Sequence, residues 1–261
     1  GFVLPGGSGS YEQLSAQYTF QEVAMELRLD MHVHSEKSPD GCMTLSEIAE
    51  RAKRAGLNGA AVCDHDRVQK DMPRFPGFLL IPGVEVSTEY GHLLGLFVTK
   101  PVETHDFHEA VELIHGQGGL AVLAHPFERS RDAMRLTPIV PLLDGVEIWN
   151  SRAERKIRQA NGLAAAFART HGLRTFAGSD AHRPQEVGNG VTTIEAEALS
   201  LEAVKSALLS GQARTSGRRS RAWYTARSQL RKRRRTGAGF ASYLKWGAFA
   251  LKCLMQDVIC R

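Results

Sequence analysis

The sequence predicts an α/β fold, a series of βα units around a mainly parallel sheet, followed by a basic C-terminal extension. Three observations carry this expectation. Short apolar runs of strand length alternate with amphipathic stretches of helical period. The 261 residues, 43% of them hydrophobic, are enough for one large domain of this class. A histidine or carboxylate follows nearly every apolar run, as expected where functional groups gather past the C-terminal ends of parallel strands.

Residues 1–27 read as an N-terminal extension. Gly1-Phe2-Val3-Leu4-Pro5 lacks the charged and long apolar regions of a secretory signal, and Gly6-Gly7-Ser8-Gly9-Ser10 has the composition of a flexible linker left by expression rather than native sequence. The first strand carries Leu27 and Leu29 into Asp30-Met31-His32-Val33-His34. Residues two apart on a strand share a face, so His32 and His34 can aim at one point. Thr44-Leu45-Ser46-Glu47 matches a capping box, and the helix it starts ends near Gly56.

Strands are then expected at Gly59–Cys63, leading to Asp64-His65-Asp66, and at Phe78–Ile81, leading to Gly83-Val84-Glu85. Another apolar run, Leu93–Val98, follows His92, and a helix is expected from Phe107 to Gly116. Leu120–Ala124 delivers His125-Pro126, Val146–Trp149 is a strand, and Ala153–Arg169 reads as one long helix. Thr175–Gly178 presents Ser179-Asp180-Ala181-His182, Gly190–Ile194 is a strand, and Leu201–Leu209 is a helix closed by Gly211. Glu147 and Asn150 end a strand at the functional face, where edge-of-barrel hydrogen bonding is the favoured reading. His105, His108, His115 and His171 are expected at surfaces or helix ends.

Charge divides the chain. The protein has 33 Lys+Arg and 28 Asp+Glu, but residues 214–261 hold 13 of the basic residues and a single acid, Asp257. The body through residue 213 is therefore acidic, with a balance of −7. The four cysteines, Cys42, Cys63, Cys253 and Cys260, form no C-x-x-C pair. That argues against disulfides and a cysteine-zinc site, and a reducing cytoplasm is expected.

The candidate ligands are His32, His34, Asp40, His65, Glu85, His92, His125, Asp180 and His182. Imidazoles mixed with carboxylates suit Zn, Mn or Fe. Nine donors are too many for one ion and match two or three divalent metal ions. Such clusters activate water and bind phosphate ester oxygens.

Asp30-x-His32-x-His34-Ser35, Ser38-Pro39-Asp40-Gly41, Asp64-His65-Asp66, Gly83-Val84-Glu85, Ala124-His125-Pro126 and Gly178-Ser179-Asp180-Ala181-His182, in that order, resemble the PHP (polymerase and histidinol phosphatase) superfamily. The likeness spans residues 28–212 and is nearest the small stand-alone phosphoesterases of that family. It implies a distorted (β/α)7 barrel with three metal ions. By motif, His32, His34, Glu85 and Asp180 would hold the first ion, with Glu85 bridging to a second on His92 and His125. Asp40, His65 and His182 would hold the third. Glu85, Asp180 and His182 would also serve the reaction, hydrolysis of a small phosphorylated metabolite or nucleotide by a hydroxide shared between metals; the alternatives are a nuclease using the basic tail and a non-catalytic metal-binding scaffold. Asp64 and Asp66 are placed to orient ligand imidazoles. Arg129, Arg152 and Arg183 each follow a motif and are candidates to clamp substrate phosphate.

The segment from residue 213 to 261 reads as a basic arm and an amphipathic helix. Ten Arg or Lys and no acid between Arg214 and Arg235 predict an arm without structure of its own. Ala238–Cys260 reads as a helix too interrupted by Lys to span a membrane. The pair fits docking on nucleic acid or an anionic membrane, or packing on the barrel. With only a short segment after the His125 strand, residues 126–145, the metal cleft is expected to be open.

Overall fold

The computed structural model describes residues 24–155 and 157–259; the expected N-terminal linker and Cys260 lie outside them. The sheet has nine strands in the order β7-β6-β5-β4-β3-β2-β1-β8-β9. They are β1 (Met25–Val33), β2 (Gly59–His65), β3 (Leu79–Thr88), β4 (Gly91–Leu96), β5 (Leu120–Leu123), β6 (Gly145–Asn150), β7 (Arg174–Gly178), β8 (Gly190–Ala196) and β9 (Arg214–Gly217). Strands β1, β2 and β3 are mutually parallel, as are β5, β6 and β7. The antiparallel β4 joins the two sets, so all six point the same way.

The sheet curls into a nearly closed barrel. At its open end the Asp180 amide donates to the His32 carbonyl at 2.8 Å and the His34 amide to the Ala181 carbonyl at 2.8 Å. These bonds bring the last motif of the sequence against the first. Leu29, Met31, Ile81, Leu94, Val122 and Phe176 fill the interior, as expected where inward side chains pack a small barrel solid. Outside, α1 (Leu45–Arg54), α2 (Phe107–His115) and α3 (Ala160–His171) cover the sheet, while α4 (Leu201–Ser210) packs Val204, Ala207 and Leu208 onto the interior cluster. The Thr44 capping box is formed in both directions.

Two expectations change. The long helix from Ala153 is a 3-10 turn at Ala153–Arg155 followed by α3, which starts only after Gln159 in the left-handed region (φ 64). Residues 214–235 are ordered structure instead of a loose arm. Arg214–Gly217 pairs with β8 as the last strand, and α5 (Ala222–Arg235) follows. Helix α6 (Phe240–Ile259) packs on α5 through Trp223, Ala226, Trp246, Ala250 and Cys253. Asp257 of α6 caps the start of α5, accepting from the Ala222 and Trp223 amides at 2.7 and 3.0 Å. Tertiary capping and packing thus offset the charge repulsion that composition alone implied. Among the described residues, no helix is long and apolar enough to cross a membrane.

Candidate metal centre

Each candidate ligand reaches the same barrel mouth by its own local device. Pairing between β1 and β2 slips register between Asp30 and Val33. Before the slip Leu27 and Leu29 face the barrel interior, and Met31 within it still packs there; beyond it Val33 packs outward near α1. His32 and His34 then face the mouth, a re-aiming typical of bulges beside functional sites. His65 ends β2, and Glu85 lies beside it across the β2–β3 pairing. His92 opens the antiparallel β4, directly opposite Ser87, so the hairpin returns it to the same end. His125 and Asp180 hold left-handed backbone (φ 28 and 53) just past β5 and β7, a strain that non-glycine residues carry mainly at functional sites.

Glu85 is the hub. Its Oε1 lies 2.8 Å from His92 Nδ1, 3.0 Å from His125 Nε2 and 3.7 Å from His32 Nε2. Its Oε2 lies 2.7 Å from His65 Nδ1 and 3.4 Å from His34 Nε2. Asp180 Oδ1 is 3.3 Å from His34 Nε2 and 3.9 Å from His32 Nε2. Asp40 Oδ1 is 3.4 Å from the Nε2 atoms of both His65 and His182. All nine candidates therefore converge, His92 included.

The arrangement fits metal ions. Three overlapping groups, His32–His34–Asp180, His32–Glu85–His125 and His34–His65–His182, each place their donor atoms within 4.8 Å of one another. Ligands about 2.0–2.2 Å from a common ion stand roughly 3–3.5 Å apart, close to the spacings seen. Asp40 Oδ1, Glu85 Oε2 and His92 Nδ1 are buried in close ion-pair contacts that lack hydrogen-bond geometry, although buried polar atoms are almost always hydrogen-bonded. A cation would complete each of them.

The charges point the same way. Burial raises a carboxylate pKa, but the imidazoles of His92, His65 and His32 outweigh it and hold Glu85 well below its usual range. Asp180 is likewise held low against its burial, chiefly by His32 and His34. Burial lowers the pKa of His34 to about 3, with His182 and His65 adding repulsion. In His65 and His125 burial is outweighed by Glu85, assisted by Asp40 at His65, and the pKa values rise to about 10 and about 9.

The supporting groups are partly those expected. Glu147 Oε1 lies 3.1 Å from His32 Nδ1, while its Oε2 accepts from the His125 amide at 2.9 Å and from Asn150 Nδ2 at 3.0 Å. It thus holds two ligand positions at once, beyond the edge hydrogen bonding favoured from sequence. Asp64 acts one step removed: it accepts from Ser38 Oγ at 2.6 Å, and that hydroxyl lies 3.0 Å from His34 Nδ1. Asp66 instead binds the Ser87 amide at 2.9 Å. Gly178 is required by contact. A Cβ there would come 2.3 Å from His32 Cβ and 2.7 Å from Glu147 Oε1.

The PHP domain family matches residues 30–179, and the PHP-associated family matches residues 158–213. The chain belongs to the PHP family. This PHP chain is 31% identical over 171 residues to an uncharacterized protein of Methanocaldococcus jannaschii, covering 62% of this chain and 68% of that one. Over 85 residues it is 36% identical to a 5'-3' exoribonuclease of Haemophilus influenzae, covering 29% and 31% of the two chains. In three dimensions it is similar to a two-domain protein of Bacteroides vulgatus containing a predicted PHP-like metal-dependent phosphoesterase, with TM-score 0.62, 19% identity and 80% and 70% coverage. PsfC of Pseudomonas syringae gives TM-score 0.55 at 18% identity, covering 82% and 99%. At such identities these two support the fold alone.

The ligand cluster of this PHP chain opens into a cleft of about 580 Å³. Of the three arginines singled out above, Arg129 is exposed at its rim. Arg152 lies in its wall, paired in a fork with Glu186 at 2.8 and 2.5 Å. Arg183 faces a different cavity. The other cations of the cleft are Arg155, Lys232 and Arg233. Lys232 and Arg233 come from α5 with Thr225 and Gln229, and Phe249 from α6 joins them. The two C-terminal helices therefore form one wall of a cleft expected to be open. Positions 225, 229, 232 and 233 share one helical face, a pattern present in the sequence but masked by the density of arginine around it.

Proposed function

We propose that this protein is a metal-dependent phosphoesterase hydrolysing a phosphate ester at a di- or trinuclear centre. One observation carries the reading: nine imidazole and carboxylate groups converge on a cleft whose remaining charged wall is largely cationic. Divalent ions, Mn, Zn or Fe from the donor set, would be held by His32, His34, Glu85 and Asp180, by His92 and His125 with Glu85, and by Asp40, His65 and His182. Bound there, they supply a nucleophilic hydroxide at neutral pH and neutralise phosphoryl charge.

The protein's own groups do the rest. Glu147 sets the ring of His32, and the Asp64–Ser38 pair sets His34. Arg129, Arg155, Lys232 and Arg233 bring the anionic substrate to the metals and orient it. Arg152, tied to Glu186, is a positioning residue for the wall. A reducing cytoplasm suits the free Cys42, Cys63 and Cys253.

The test is a Mn²⁺-supplemented screen of phosphomonoesters, cyclic and 3′,5′-nucleotides and short RNA, beside metal analysis. H32A/H34A should lose metal and turnover while keeping its circular dichroism spectrum. Retained turnover in that variant overturns the proposal. A nuclease reading is favoured specifically by the α5 cations in the cleft and by the likeness to an exoribonuclease; cleavage of RNA but of no small ester would select it.

A further inference from the structure

On the other side of α5 lies a second cavity, of about 380 Å³, lined by Leu230, Cys42 and five arginines: Arg183, Arg227, Arg231, Arg234 and Arg235. Residues 227, 230, 231, 234 and 235 stand at i, i+3, i+4, i+7 and i+8, a single helical face. Arg183 comes from the loop after β7, one residue past His182. Among the described residues none of the five is ion-paired. The Nε atoms of Arg183 and Arg231 are buried without a hydrogen-bond partner. Arg235 alone is engaged, donating to the carbonyls of Glu36 and Ser38 at 2.7 and 3.1 Å.

Cations near a helix C-terminus are favourable in themselves, which accounts for Arg234 and Arg235. It leaves unexplained why Arg183, from the barrel, and Arg227, two turns earlier, face the same recess. Five like charges around one cavity repel each other unless an anion enters, and arginine is the side chain whose fork suits phosphate.

The recess adjoins the metal centre. Asp40 and His182 line the metal cleft, and their near neighbours Cys42 and Arg183 line the recess. The Cys42 amide donates to the His182 carbonyl at 3.2 Å, joining the two loops. Between the basins α5 shows Gln229, Lys232 and Arg233 to one and its arginine face to the other. The helix is a cationic ridge.

The geometry points to the arginine recess as a second phosphate subsite for an extended phosphodiester, a single-stranded oligonucleotide. Its scissile phosphate lies at the metal centre, and neighbouring phosphates cross α5 into the recess. This rests on the phosphoesterase reading above. A monoester carries too little charge to neutralise both basins, whereas a flexible phosphodiester strand repeats its charge along the ridge. The arginines line a recess beside the cleft to which α6, with its exposed apolar Leu251, Met255 and Val258, contributes no residue, so a strand entering the cleft fits them better than a bilayer does.

The test compares metal-loaded wild type with R227Q/R231Q/R234Q. Affinity for a short, labelled, hydrolysis-resistant phosphorothioate single strand is measured across a salt series, beside turnover of bis(p-nitrophenyl) phosphate. Loss of three phosphate contacts should weaken strand binding about tenfold or more, and make the slope of log K against log salt shallower by about 2. Turnover of the small diester should be unchanged. Because Arg227 and Arg234 are exposed, R227Q/R234Q keeps the test if the triple variant misfolds, with a slope change of about 1.4. Equal strand affinity and slope in wild type and variant overturn the proposal. So does loss of binding to phosphatidylserine vesicles or inorganic polyphosphate with strand binding untouched. If wild type hydrolyses no ester but still binds the strand through these arginines, the phosphoesterase reading falls and the subsite stands.

Discussion

Glu147 shows how much of the site depends on residues that touch no substrate. Its carboxylate holds the His32 ring and the His125 backbone together, and groups that orient metal ligands are typically worth 10–100-fold in metal affinity. E147Q should weaken metal binding by about that factor with little change in secondary structure, measured by competition with a chromophoric chelator. An unchanged affinity would show that the contact is packing alone. The imidazoles give a pH prediction for metal-stripped protein. His65 and His125 are raised in the folded state from the usual 6.5 to about 10 and about 9. The folded state therefore binds their protons more tightly. That stabilisation is complete below pH 6.5 and is lost as pH climbs toward 10. The stripped protein's Tm should fall over that window, and metal added at pH 7.5 should release protons into a weakly buffered solution. A flat Tm profile would count against these shifts.

At the scale of elements, α5 exists because of what surrounds it. A run containing Lys232, Arg233, Arg234 and Arg235 forms a poor independent helix, since like charges three and four apart repel. The Trp246 indole donates to the Ala226 carbonyl at 2.7 Å, and Asp257 caps the helix start. Removing the cap in D257A should cost about 1–2 kcal/mol, read from urea denaturation. Its effect should include weaker strand binding, because α5 carries the arginine face. If D257A is as stable as wild type, the two helices are held by their apolar contact alone.

For the whole molecule the main pairing is between a barrel mouth lined by imidazoles and carboxylates and a basic helical wall. The nine ligand groups come from segments far apart in the chain and meet only in the fold, so metal should bind the folded chain and not the unfolded one. At a free metal concentration one hundred times the dissociation constant, linkage predicts about 2.7 kcal/mol of added stability. Addition of Mn²⁺ should raise Tm and a chelator should reverse it. A metal-independent Tm would mean the cluster does not hold an ion.

The strand-to-loop motifs were legible in the chain itself, because ligand chemistry needs particular residue types and parallel strands deliver them at one end. Thus His32, His34, Asp40, His65, Glu85, His92, His125, Asp180 and His182 could each be named as candidates from the sequence, and the Thr44 capping box likewise. The fold class and the family followed from the same motifs. Three things were decided only by tertiary structure. The antiparallel β4 returns His92 to the mouth, and hairpin direction is a property of pairing rather than of one segment. The Arg152 guanidinium is taken by Glu186, thirty-four residues away, a partnership no local spacing reveals. The basic run at Arg231–Arg235 is a helix walling the cleft because Asp257 and Trp246 support it from another element. Local sequence determines which groups are present and which way a strand end faces. Where charges find their partners depends on contacts between segments far apart in the chain, and only the folded structure supplies them.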